Sequence, residues 1–258
     1  MSNVEDSVRS FYDTKGWSGG EDALFRQFRP AYRNYHVGTT ERTIGCFAGK
    51  HGSLLIVGGG DLPQSHVSIA TRFEQTACVD ISKAALDISE EKLPKARKIL
   101  GSICDLHEEK SSQFDCVFAA HVIYHIDAQM QEKAVREMIR LVKPGGRIVI
   151  LYSNPKSPIR FAAGALHRLR KMFTPRRAVE ESGLYFSPHP LGWWQQFESD
   201  CKVSMLPWDV IGSYEERTLI WSNLMASAFY RAAGLAERAT PSLAVKLWQY
   251  PIVILDKR

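Results

Sequence analysis

The stretch Leu54-Leu55-Ile56-Val57-Gly58-Gly59-Gly60-Asp61-Leu62-Pro63 limits what this chain can become more than any other. Four apolar residues run without a polar break into three glycines. Such a run offers no face to water, so it reads as a parallel strand covered on both sides. Glycine at its end permits positive φ, and without a Cβ it lets a ligand approach the main chain. Taken alone, the turn fits an ordinary strand-to-helix connection equally well.

The spacing of the next apolar elements and acids narrows the choice. Thr76-Ala77-Cys78-Val79-Asp80 is a second apolar element ending in an acid 20 residues after Gly60, where a carboxylate can accept both hydroxyls of a ribose. Another acid, Asp105, comes after Gly101-Ser102-Ile103-Cys104, and residues 114–120 read as a further buried strand. Leu141-Val142-Lys143-Pro144-Gly145-Gly146-Arg147-Ile148-Val149-Ile150 then joins a helix end, a Pro-Gly-Gly turn and a strand.

These signals, in this order, resemble the class I S-adenosylmethionine-dependent methyltransferases over residues 50–155. The resemblance implies Gly58 and Gly60 at the methionine part of S-adenosylmethionine, Asp80 on its ribose and Asp105 at its adenine, with Gly59 and Asp61 of the same turn as further cofactor-binding candidates. Ile81 and Cys104 or Leu106 would wall the adenine slot, and His121 would lie beside the transferable methyl group. S-adenosylhomocysteine is the product implied. Two positions depart from the family pattern. Ile56 stands where an acid is usual and Leu62 where a third glycine is usual. Asp61 can replace the missing acid, or it can be a turn or cap aspartate beside Pro63.

The architecture expected is α/β: a Rossmann-like, doubly wound, mostly parallel seven-stranded sheet with helical lid insertions. It forms one domain, in which residues 1–48 are a helical cap and 49–155 the cofactor-binding core. Residues 156–200 and 212–248 are substrate-lid insertions, and 201–211 and 249–258 supply the final strands. The alternation of strands and helices from Ser53 to Tyr152 demands right-handed crossovers. Helices are expected from the Ser82 cap through Lys92, from Ala128 to Leu141, and over 213–249.

At 45% apolar and 24% charged residues, the composition is that of an ordinary globular chain. Five cysteines, odd in number and without a CxxC pair, fit a reduced, cytoplasmic setting. The start is polar and the apolar runs are short, so neither a secretory signal nor stable membrane insertion is expected. The net charge of +5 is local. Lys156, Arg160, Arg168, Arg170, Lys171, Arg176 and Arg177 form a run with no acid, which leaves the rest of the chain at −2. That run reads as a solvated lid helix, a site for an anionic or carrier-bound substrate, or a membrane-surface element with Phe161, Leu166, Leu169 and Phe173 as its apolar stripe. No nucleic-acid module is visible.

His121-Val122-Ile123-Tyr124-His125 comes directly after the fourth strand, at the edge where the resemblance puts the methyl acceptor. Methyl transfer from a sulfonium is an in-line displacement, governed by positioning and exclusion of water, and needs a base only for a hydroxyl or protonated amine. His121 and His125 are the candidate bases and Tyr124 an orienting hydroxyl. Each can equally be a packing residue. The two histidines have zinc-helix spacing but lack the partner glutamate and a third ligand, so no metal is expected. Tyr12, Arg26, Arg29 and Tyr32 of the cap, and Trp193 of the first insertion, are candidates to contact substrate; their other reading is core packing. The function expected is methyl transfer to oxygen or nitrogen of a small molecule, by a monomer or homodimer. A methyltransferase-like protein that has lost catalysis and serves as a binding or regulatory partner, and a nicotinamide-dependent oxidoreductase, are the competing readings. Pro63 stands where the dinucleotide fingerprint wants its third glycine.

Overall fold

A computed structural model describes residues 3–14, 29–60, 62–173 and 184–258. Its centre is one sheet in the strand order β3-β2-β1-β4-β5-β7-β6. The strands are β1 (Ser53–Val57), β2 (Gln75–Asp80), β3 (Arg97–Leu100), β4 (Phe114–Ala120), β5 (Val142–Leu151), β6 (Cys201–Asp209) and β7 (Tyr250–Lys257). The first five pair in parallel, while β7 runs antiparallel between β5 and β6. This is the mostly parallel, seven-stranded sheet expected.

The uninterrupted apolar runs are explained by helices on both faces. Leu55 and Val57 face one core with Val79, Val117, Ile148 and Met138. Leu54 and Ile56, alternating with them, face another with Phe118, Ile69, Val149 and Phe47. Helix α5 (Gln131–Leu141) covers the first side through Ala134, Val135 and Met138. Helix α3 (Gln64–Ala70) covers the second through Ile69 and Ala70. Helix α4 (Lys83–Lys92) begins at the Ser82 cap, whose side chain accepts from the Ala85 N–H at 3.1 Å.

The cap helices are α1 (Asn3–Thr14), which packs on α4, and α2 (Pro30–Gly45). Beyond β5 lie α6 (Pro158–Phe173), α7 (Ser213–Leu219), α8 (Asn223–Ala239) and α9 (Pro241–Leu247). A third apolar cluster joins Tyr35 of α2 to Ile211, Ala226, Tyr230 and Ala244.

One boundary differs from expectation. The helix expected from Ala128 starts at Gln131, because the Ala128 N–H donates to the Tyr185 hydroxyl at 3.1 Å and the Gln129 N–H to Asp127 Oδ1 at 3.1 Å. Residues 213–249, expected to be helical, form three helices. Ser222 caps the second by accepting from the Met225 N–H, and Pro241, which cannot continue a helix, opens the third.

The Lys-Pro-Gly-Gly turn lies at the start of β5, away from the strands' carboxyl ends. Lys143 Nζ is 2.8 Å from Asp115 Oδ2, which also accepts from the Ser53 N–H at 2.8 Å. One carboxylate thereby ties the beginnings of β1, β4 and β5. A Cβ on Gly146 would lie 2.7 Å from the Asp115 carbonyl oxygen, so the turn needs glycine for packing.

Candidate active site

At the carboxyl ends of β1 and β4 the chain leaves toward β2 on one side and β5 on the other. Open α/β sheets place their ligands at this switch point. A cavity of about 970 Å³ occupies it, walled by α1, the turns after β1, β2 and β3, and the segment after β4. That volume is at the top of the range of roughly 300–1,000 Å³ usual for small-molecule sites. It has room for more than one small ligand.

The glycine turn forms the floor. Gly58 has φ +74°, and its N–H donates to the Val79 carbonyl at 2.9 Å. A Cβ there would stand 2.3 Å from Val122 Cγ2, so both conformation and space exclude a side chain. Gly58 and Gly60 line the cavity, while the Gly59 N–H bonds the Asp80 carboxylate. Ile56 is core on its strand and reaches the cavity wall; Leu62 is buried in the core. The two departures from the family pattern are therefore taken up by apolar packing. Asp61 lies outside the described residues, as does Arg26.

Asp80 closes β2 with its carboxylate on the cavity, where Oδ1 accepts from the Ser82 N–H at 2.8 Å. Burial raises its pKa to about 6, offset by backbone N–H donors and assisted by the charge of Asp13. The Ser82 hydroxyl donates to Asp13 at 2.6 Å, tying α1 to the rim. Tyr12 lines the cavity, its pKa pushed up to about 12 by burial and then by Asp80.

The apolar slot beyond Asp80 holds Ile81, Ile103, Cys104, Ile126 and Met130. Asp105 is at its edge, largely exposed and 2.9 Å from His107 Nδ1, which holds its carboxyl below the usual range. Leu106 packs in the core beneath, off the cavity lining.

His121 has φ +61°, a left-handed conformation that costs a side-chain-bearing residue roughly 1–2 kcal/mol. Its ring is enclosed by Trp208 at 5.0 Å and Tyr250 at 5.6 Å, and its Nδ1 is 2.7 Å from the Tyr124 hydroxyl. Burial, reinforced by His66 and His125, lowers its pKa to about 3. His125 ends a short 3-10 turn (Ile123–His125), and burial lowers its pKa to about 4. Its Nδ1 is 2.6 Å from the Tyr185 carbonyl oxygen, a partner that can only accept. The proton therefore sits on Nδ1, and Nε2 keeps its lone pair. Both histidines line the cavity; Tyr124 stands behind them. Among the described residues no cluster of three or more His, Cys, Asp or Glu is placed to hold a metal.

Three candidates lie away from the cavity lining. Arg29 donates to the Ile220 carbonyl at 2.6 Å and to Asn223 at 3.1 Å, fastening α2 to the second insertion. Tyr32 donates to Asp209 Oδ2 at 2.6 Å. Trp193 stacks on His189 with ring centroids 4.6 Å apart. Their aromatic and cationic character is spent on packing and helix anchoring. Glu5 and Val8 of α1, His66, Ile103, Ile126, Met130 and Lys133 line the cavity although no sequence motif marks them. His66, in the first turn of α3 after the glycine turn, is the one a sequence signal could have found.

Residues 56–150 match the family model described as a methyltransferase domain. The ubiquinone/menaquinone biosynthesis C-methyltransferase UbiE of Pseudomonas putida is 27% identical over 168 residues, covering 62% of this chain and 60% of its own length. UbiE of Vibrio cholerae is 26% identical over 170 residues, covering 60% and 58%. The match thus spans about three fifths of these curated relatives. Geranyl diphosphate C-methyltransferase from Streptomyces coelicolor, solved with Mg2+, geranyl diphosphate and S-adenosyl-L-homocysteine, shares the fold with a TM-score of 0.60 at 13% identity, covering 100% of this chain and 99% of its own. The N-methyltransferase NodS from Bradyrhizobium japonicum, solved with S-adenosyl-L-homocysteine, gives 0.56 at 10% identity and 99% of both chains.

Proposed function

We propose that this chain is a class I S-adenosylmethionine-dependent methyltransferase that transfers a methyl group to a small-molecule acceptor; the match of residues 56–150 to a methyltransferase domain supports the reading. The observation that carries the reading is the joint placement of the Gly58–Gly60 turn, the Asp80 carboxylate and two neutral imidazoles around one cavity. The residues fit the cofactor: a floor without side chains, a carboxylate for the ribose, and an apolar slot for the adenine. When bound, S-adenosylmethionine supplies a methyl group on a sulfonium centre.

The chain's own part is positioning and proton handling. Asp80 would hold the ribose by accepting from its hydroxyls, and α1, tied down through Asp13 and Ser82, would keep water off the site. His125 receives the proton of a hydroxyl or amine acceptor at Nε2 while the Tyr185 carbonyl holds Nδ1–H. His121, with Tyr124, shapes the wall beside the acceptor.

A carbon acceptor is the second reading, favoured because the UbiE relatives are named C-methyltransferases. A thermal-shift titration with S-adenosylhomocysteine on wild type and Asp80→Ala tests the core of the reading. A shift present only in wild type supports it. No shift in either overturns it and leaves a protein that has lost the cofactor.

A further inference from the structure

The outward face of helix α6 has the wrong polarity for a helix facing water. Its exposed positions recur three and four residues apart: Pro158, Phe161, Ala162, Ala165, Arg168 and Leu169. All but Arg168 are apolar, with Phe161 79% exposed and Leu169 54% exposed. A helix on a water-soluble surface normally turns its polar residues that way. The inner side is accounted for. Ala163 is fully buried, His167 meets the ring of Tyr214 on α7 at 5.6 Å, and Arg160 lies over Phe186 at 4.8 Å. Phe186 in turn touches Tyr124 at 4.9 Å.

Charge identifies what covers the outer face. From Pro155 to Arg177 the sequence carries seven bases and no acid, while the remainder sums to −2, and of the described bases Lys156 and Arg168 are exposed beside this face. A second copy meeting this face about a two-fold axis would set like charges against each other. An anionic lipid surface satisfies both features at once: bases pair with headgroups while Phe161 and Leu169 enter the acyl boundary. The helix has 16 residues, too short to span a bilayer and suited to lying on one. We infer that α6 docks the protein peripherally on an anionic bilayer through Phe161, Ala162, Ala165 and Leu169, with Lys156 and Arg168 at its rim. The docking goes beyond the methyl-transfer reading and does not depend on it.

The test is co-sedimentation of the full chain with vesicles of 30% phosphatidylglycerol in phosphatidylcholine, against phosphatidylcholine alone. Wild type is expected to bind the anionic vesicles and to release in high salt. Phe161→Ser with Leu169→Ser should bind at least tenfold more weakly, and Arg168→Gln about fivefold more weakly. An unchanged circular dichroism spectrum and melting temperature show that these variants fold. Wild type that ignores anionic vesicles, or a double variant that binds as wild type does, overturns the proposal. So does light scattering that finds a dimer broken by Phe161→Ser and Leu169→Ser with no effect on vesicles, since a second copy then covers the face.

Discussion

His125 Nδ1 lies 2.6 Å from the carbonyl oxygen of Tyr185, 60 residues further along the chain. The carbonyl cannot donate, so this contact fixes the ring's tautomer and keeps Nε2 basic. His121 has a hydroxyl as its Nδ1 partner, and Tyr124 can donate or accept there. The two histidines therefore differ in kind. His125→Ala should lower kcat by about 100-fold or more while leaving the Kd for S-adenosylhomocysteine within about twofold. Single-turnover rates beside isothermal titration measure both. Because burial pushes His125 down to about 4, its proton-accepting form is complete above pH 5, and its titration leaves no acid limb between pH 5 and 8.

The two cofactor acids should also differ. Asp80→Ala removes a largely buried, charged acceptor from the cavity wall and should weaken S-adenosylhomocysteine by roughly 100-fold. Asp105, exposed and paired with His107, should cost less than about fivefold when changed to alanine. Since the Asp80 pKa is about 6 and the ionised form accepts from the ribose, affinity should fall as pH drops through 6, by about tenfold per unit below it. Titrations at pH 5, 6 and 7 decide it.

Gly146→Ala should destabilise without touching the site. Its Cβ would meet backbone oxygens of Asp115 at 2.7 Å and Lys143 at 2.8 Å, neither of which can rotate away. The expected cost is about 2 kcal/mol, a drop in Tm of roughly 4–8 °C for a chain of this size. Cofactor affinity should be unchanged, because the turn lies at the opposite edge of the sheet.

Much of this was legible in the chain itself, for local reasons. Leu54–Val57 declared a strand buried on both faces, and Gly58 a turn where no side chain fits. Asp80 was placed by its distance from that turn. The cap and insertions were harder to place because their aromatic and basic residues suit packing and binding equally well. Arg29 and Tyr32 became helix anchors through partners near residues 209–223, far along the chain. The tautomer of His125 likewise depends on Tyr185, a contact that no spacing announces.

Asp209 offers the sharpest stability test. It is almost fully buried at the end of β6, with Oδ2 accepting from the Tyr32 hydroxyl at 2.6 Å and Glu237 adding negative charge nearby. Burial, ahead of the other causes, raises its pKa to about 7 from the ordinary 3.8. The folded chain therefore binds this proton more tightly than the unfolded chain. The stability it contributes is complete below pH 4, falls as pH rises through 7, and is level above that. Three units correspond to at most about 4 kcal/mol. Asp209→Asn keeps an oxygen for Tyr32 and removes the titration. The variant should gain stability over wild type from pH 4 to 7 and then hold level in urea melts, without cofactor so that Asp80 contributes equally to both. A difference that stays constant across that range would show that Asp209 is ionised throughout, held by donors other than Tyr32.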